Sequence, residues 1–207
     1  MKHFTARSTR RSGGRAGSGP RCGYFAAAAA KLVAAAALCG LAATSAAADF
    51  ALTSKTLTPG ARMPKAQVFD HCGGENLSPQ LSWSGAPEGT KSYALMVYDP
   101  DAPTGSGWWH WVMFNIPADV TSLAAGAGEP KNGLVPEAIQ VRNDYGSRGY
   151  GGACPPPGQG EHRYQFRIYA LNVEELPLDE NATPAQVGFS VNANKLAEAE
   201  LQVHYGR

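Results

Sequence analysis

A two-residue hydrophobic period near the end of the chain restricts the fold more than any other feature. Across residues 197–205, Ala197, Ala199, Leu201, Val203 and Tyr205 alternate with Glu198, Glu200, Gln202 and His204. Successive side chains of a strand point to opposite faces, so this order lays one apolar and one polar face along an extended chain, whereas a helix would scatter both. Residues 163–171 repeat the pattern, with Tyr164, Phe166, Ile168 and Ala170 on one side. Residues 92–98 and 109–116 are continuous apolar runs of strand length. Gly- and Pro-rich turns separate these runs, so the sequence predicts a mostly β protein with antiparallel strands. One helix is expected. Thr183-Pro184-Ala185-Gln186 combines an N-cap threonine, a proline at the first helical position and a glutamine completing a capping box, and the helix would run through Val187 and Val191 to about Asn194. Gly188 weakens it. Residues 124–136, rich in Gly and Ala, read as a long surface loop. The sum is a β-sandwich with a helix between late strands.

The front of the chain has a different composition. Residues 1–48 hold no Asp or Glu and seven basic residues, followed by an Ala-rich apolar stretch ending in Ala46-Ala47-Ala48. A basic leader, an apolar stretch and small residues at an A-x-A site read as a secretory signal peptide, cut near Ala48, leaving residues 49–207 as a single domain. Arg10-Arg11 leaves both the general secretory and the twin-arginine routes open. The apolar stretch is short and Lys31 interrupts it, which argues against a membrane anchor. A periplasmic or secreted protein is therefore expected. Its remaining eleven Lys/Arg against seventeen Asp/Glu give a net charge of −6. That balance disfavours nucleic-acid partners and stable association with membranes, so any bound anion must be held by a local constellation. Two cysteines follow the leader, Cys72 and Cys154. In an exported protein they are most simply one disulfide, with a metal pair or a reactive thiol as alternatives.

Two loops gather polar groups beside prolines and glycines. The first is Asp99-Pro100-Asp101-Ala102-Pro103, running on to Trp108-Trp109-His110-Trp111; the second spans residues 149–158 and leads into His162-Arg163-Tyr164. Taken singly, an Asp-Pro-Asp turn or a lone histidine is unremarkable. Two acids, two histidines and three tryptophans around two stiff loops form the polar and aromatic inventory of a small-ligand pocket. Imidazoles beside a carboxylate have raised pKa values, so both histidines are expected to donate to an oxyanion near neutral pH. Glycines 149–152 are expected to let backbone N–H groups approach the same ligand. No nucleophile motif, H-E-x-x-H or Walker sequence appears.

The order and spacing of these motifs resemble the paired signature regions of the phosphatidylethanolamine-binding, or Raf kinase inhibitor-like, family. Gly74-Glu75-Asn76-Leu77-Ser78-Pro79, Arg142-Asn143-Asp144-Tyr145-Gly146 and Tyr205-Gly206-Arg207 are similar to its bacterial branch. The resemblance spans residues 50–207. It implies a Greek-key sandwich of two antiparallel sheets with one or two short helices near the C-terminus, and a small pocket accepting phosphate, acetate, cacodylate or a phosphoethanolamine head group. It further implies ligand-binding roles for Asp99, His110, Pro156, His162 and Tyr164, with Asp101 and Pro103 shaping the loop. Animal relatives carry two histidines after the tryptophan, of which this chain keeps the second, His110. The expected function is binding of a small anionic or phosphorylated group without catalysis, cofactor or metal. The alternatives are a modulator of an extracytoplasmic or host kinase or protease, and a metal-dependent hydrolase built on Asp99 or Asp101 with His110 and His162. A homodimer is compatible with either binding reading.

Overall fold

The structure, a computed structural model, describes residues 49–129 and 135–207. The leader assigned to export, 1–48, lies outside the described residues, as do residues 130–134 of the expected loop. The described chain forms β1 (Ala51–Thr53), β2 (Leu81–Ser84), β3 (Ser92–Asp99), β4 (Trp108–Pro117), β5 (Ser122–Leu123), β6 (Ile139–Gln140), β7 (Glu161–Leu171), α1 (Pro184–Asn194) and β8 (Lys195–Gly206). Two short 3-10 turns, Lys65–Gln67 and Asp70–Cys72, precede β2. The four long runs read from the sequence are β3, β4, β7 and β8, each within two residues of its expected bounds.

Two antiparallel sheets result, a small one in the order β1-β2-β5 and a large one in the order β6-β4-β3-β7-β8. The order is interleaved: after β4 the chain crosses to the small sheet, returns to the edge as β6, and then enters on the far side of β3 as β7. The inner core lies between the sheets, where Leu52, Leu81, Trp83 and Leu123 meet Leu95, Val97, Trp111, Met113, Phe166, Ile168, Leu201 and Val203. Burying this apolar surface is the main driving force for the sandwich. A second core covers the other face of the large sheet, where Val187 and Val191 of α1 pack with Ala94, Met96, Val112 and Phe114. Because β3 and β4 are buried on both faces, they read as continuous apolar runs, whereas the end of β8 alternates.

Both halves of the predicted capping box form. Gln186 N–H donates to Thr183 Oγ1 at 3.3 Å, and Thr183 N–H donates to Gln186 Oε1 at 2.8 Å. The helix therefore holds despite Gly188, and its cap contributes about 1 kcal/mol. Between Tyr93 and Leu95 the β3–β4 register slips. Asn115 takes up the extra residue at φ 56°. Its Oδ1 accepts the Leu176 N–H at 2.8 Å, and the slip returns Ile116 to the inner core with Met113. Cys72 and Cys154 are joined by a disulfide, with Cα atoms 5.6 Å apart, inside the usual range.

Candidate ligand-binding site

The period of two that builds the inner core also delivers the site. Tyr93, Leu95 and Val97 of β3 face the inner core, and the next residue on that face is Asp99 at the strand's end. On β7, Phe166 and Tyr164 share the inner face and the residue before them is His162. At this end of the sandwich the stripe changes from apolar to ionisable. His110 reaches the same place by a different route. The register runs from Val97 opposite Trp111 to Tyr98 opposite Trp109, leaving His110 as the unpaired residue of a bulge. Such bulges re-aim one side chain and increase the local twist. Here Trp109 packs toward the helix-covered face, while His110 packs edge-on to Tyr164 at 5.1 Å and Tyr145 at 5.6 Å.

Asp99, His110 and His162 line a cavity of about 270 Å³ together with Ala102, Pro103, Thr104, Trp108, Tyr145, Cys154, Pro155 and Pro156. The volume suits a small group and lies at the low end of ligand pockets. All three ionisable side chains are buried. Asp99 Oδ2 accepts from His162 Nδ1 at 2.7 Å, and Asp99 Oδ1 accepts the Asp101 N–H at 2.8 Å. His110 Nδ1 donates to the Gly151 carbonyl at 2.7 Å, which fixes the proton on Nδ1. Burial pushes the His110 pKa down, outweighing the opposing pull of the Gly151 and Gly152 carbonyls and of the Asp99 and Asp144 carboxylates. His110 Nε2, Trp108 Nε1 and the Tyr164 hydroxyl find no hydrogen-bond partner among the described residues.

Four loops hold this wall. Asp101 does not line the cavity. It clamps the Asp-Pro-Asp loop to β7, its carboxylate accepting from Arg163 N at 2.9 Å, Nε at 2.8 Å and Nη2 at 2.7 Å. That guanidinium holds the Asp101 carboxyl at about 2, below the usual carboxylate range. The Asn143-Asp144-Tyr145 loop is pinned to β4 through Asp144 Oδ2, which accepts the Trp109 N–H at 2.7 Å. Tyr145 stacks on Phe69 at 4.2 Å and donates its hydroxyl to the Gly152 carbonyl at 3.0 Å. Gly152 runs against the 67–69 backbone so closely that a Cβ would collide with it. The disulfide fixes Cys154 from behind, and Arg207 Nε donates to the Pro155 carbonyl at 2.8 Å.

Of the residues singled out in the sequence, Asp99, Pro103, His110, Pro156 and His162 come together around the cavity. Tyr164 sits behind His110 and is fully buried. Two chemical expectations change. His110 is an acceptor at Nε2 rather than a second cationic donor, because a buried imidazole whose Nδ1 serves a carbonyl disfavours the charged form. The glycine amides are also taken: Gly151 N–H donates to the His110 carbonyl at 2.8 Å and Gly152 N–H to Asn76 Oδ1 at 2.7 Å. Trp108, one of the three tryptophans of the first loop, lines the cavity as expected, whereas Tyr145 and Thr104 are wall residues that the sequence does not single out. The turn-forming Asn143-Asp144 pair was the available signal for Tyr145. Among the described residues no group of three or more His, Cys, Asp or Glu is placed to hold a metal ion, so Asp99 or Asp101 with the two histidines does not assemble as a three-ligand site. No described helix is long and apolar enough to cross a membrane.

The sequence and fold have counterparts in known proteins. The chain is 52% identical over 162 residues to the UPF0098 protein YbcL of Escherichia coli K12, spanning 77% of this chain and 88% of that protein. It is 46% identical over 152 residues to YbhB of the same organism, spanning 72% and 96% respectively. The crystal structure of E. coli YbcL, described as a member of the mammalian PEBP family, superposes with a TM-score of 0.75 at 51% identity, over 77% of this chain and 99% of that one. A Chlamydia trachomatis homologue superposes with a TM-score of 0.65 at 35% identity, over 76% and 97%. The family model described as "Phosphatidylethanolamine-binding protein" matches residues 53–206, which takes in both sheets and every residue lining the cavity, and the chain belongs to that family.

Proposed function

We propose that the chain is an exported binding protein whose cavity takes a small anionic or phosphorylated group and performs no chemistry on it. The observation that carries this reading is a pair of unpartnered polar atoms on residues of the cavity wall. Buried polar groups are paired in the great majority of native structures, and leaving one unpaired costs about 1–3 kcal/mol. His110 Nε2 and Trp108 Nε1, both on residues of the cavity wall, lack partners among the described residues. A ligand with both accepting and donating oxygens satisfies them. The wall otherwise consists of prolines, Ala102 and aromatic rings, stiff surfaces that exclude water around a few polar groups. Export fits the acid-free leader and the Cys72–Cys154 bridge, since such bridges persist in oxidising compartments.

Calorimetric titration of the purified protein with O-phosphoethanolamine tests the reading. Saturable binding is expected, weakened about tenfold or more in His162→Ala, which removes the hydrogen-bonding side chain that Asp99 holds in the wall. No binding of any small oxyanion, or binding indifferent to both His162→Ala and His110→Ala, refutes it.

A further inference from the structure

Building on the oxyanion reading of this cavity, we infer that it selects an oxyanion still carrying a proton: a phosphomonoester monoanion, in preference to a sulfate ester, a phosphodiester or a phosphate dianion.

The inference follows from which lining atoms accept and which donate. Asp99 is a carboxylate in the wall, with each oxygen serving one internal donor and holding further lone pairs. His110 is an acceptor at Nε2 because Nδ1–H is directed at the Gly151 carbonyl 2.7 Å away. Nε2 has no donor among the described residues, and a donor on a ligand reaching it from the cavity would supply one. On the other side of the balance stand the Trp108 N–H and, in its imidazolium form, Nε2–H of His162. Among the described residues no Lys or Arg lines the cavity. The Arg207 guanidinium lies behind the wall, where Nε donates to the Pro155 carbonyl at 2.8 Å and its charge reaches Tyr145 but supplies no lining donor. A dianion would therefore meet one ionisable donor and one carboxylate, too little positive charge to replace its hydration. A P–OH group placed between acceptors removes both problems, because it donates to His110 or Asp99 and lowers the ligand's charge to −1.

The groups facing His110 do not reverse this assignment. From β3 it meets Asp99, from β7 His162 and Tyr164, and from the 143–152 segment Asp144, Tyr145 and the Gly151 and Gly152 carbonyls. The two carboxylates and two carbonyls favour a charged imidazole, and burial of the ring outweighs them.

Three probes sharing one skeleton test the inference: O-phosphoethanolamine, 2-aminoethyl hydrogen sulfate and glycerophosphoethanolamine. A phosphomonoester keeps a proton below about pH 6, whereas the sulfate ester and the diester carry no acidic proton across the working range. At pH 5.5 the phosphomonoester is expected to bind about tenfold or more tighter than either analogue, the increment of one hydrogen bond involving a charged group. The sulfate profile serves as the reference for every pH effect other than the ligand's own proton. The ratio of phosphomonoester to sulfate affinity isolates the ligand's proton, and should fall about tenfold per pH unit above about pH 6. In His110→Asn the amide can still serve the Gly151 carbonyl but no longer reaches the Nε2 position, so the acceptor is lost and the preference should shrink. Equal affinities for phosphomonoester and sulfate, with a ratio flat from pH 5 to 8, overturn the inference while leaving an anion-binding cavity intact. Tighter binding of the diester than of the monoester also overturns it and assigns the cavity to intact lipid head groups. These wild-type outcomes decide the matter even if His110→Asn fails to fold. Failure of all three probes to bind refutes the oxyanion reading itself.

Discussion

Removing the Cys72–Cys154 bridge should cost this domain a large part of its stability, and the cost can be worked from the connectivity. The bridge closes a loop between residues 82 apart. On the chain-entropy account, the denatured ensemble loses about 15 cal/mol/K when such a loop is closed, or about 4.5 kcal/mol at 25 °C. Domains of this kind are stable by only about 5–15 kcal/mol in total. The double variant Cys72→Ser, Cys154→Ser avoids a stray thiol and should unfold about 3–5 kcal/mol more easily in guanidinium. For a domain of this size that corresponds to a melting point lower by about 10–15 °C. The denaturant slope should rise as well, because the unbridged chain exposes more surface on unfolding. A loss under about 1 kcal/mol, measured where mass spectrometry confirms the bridge in the parent protein, would refute the reasoning. It would mean that the denatured chain is already compact around the two positions. A second consequence is local. Cys154 belongs to the cavity wall and Cys72 to the 3-10 turn behind it, so the variant should also bind O-phosphoethanolamine more weakly at temperatures where it remains folded.

Gly107 sits at φ 68° with no room for a Cβ beside the Tyr98 hydroxyl and the Asp99 carbonyl, so Gly107→Ala should destabilise by about 1–3 kcal/mol by denaturant titration and weaken ligand binding. Asp101, held at about 2 against an ordinary 3.8, stabilises the fold above about pH 4 and loses that contribution as pH falls toward 2. The Asp101–Arg163 pair is exposed and screened by solvent, so the gap between wild type and Asp101→Asn should be small at pH 7 and close over that acid window in pH-dependent unfolding. Exported protein should begin within a few residues of Asp49 when its intact mass is measured; retention of residues 1–48 would contradict the leader reading.

How far the sequence reached differs between the parts of the molecule, and the difference is physical. β7 and β8 were legible because alternation records a strand with distinct faces, and α1 because Thr183 and Gln186 cap locally. β1, β2, β5 and β6 were not, since each has only two to four residues, too few to show a period. Their positions are fixed by what they cover. Leu52, Leu81, Trp83 and Leu123 form strand because the inner face of the large sheet requires an apolar lid. The two β4 bulges were equally invisible, since a register slip is settled between strands rather than within one. Counting left Cys72 and Cys154 as a bridge, a metal pair or a reactive thiol, and their proximity in the fold gives the bridge.

The site divides along the same line. Which residues gather at the cavity was readable, because Asp99 and His162 continue apolar stripes by the same two-residue step that aims Val97 and Tyr164 inward. What those residues do chemically was not. Histidines beside acidic residues in two motifs suggested two cationic donors, yet the pairing is selective. Asp99 directs one oxygen to His162, while the bulge turns His110 toward a backbone carbonyl 41 residues further along the chain. That single carbonyl decides the tautomer, and the burial supplied by Tyr145 and Tyr164 disfavours the second proton. The result is a cavity with one ionisable donor, one carboxylate and one neutral acceptor. In such a site affinity for an anion depends less on the anion's charge than on whether it still holds a proton to give.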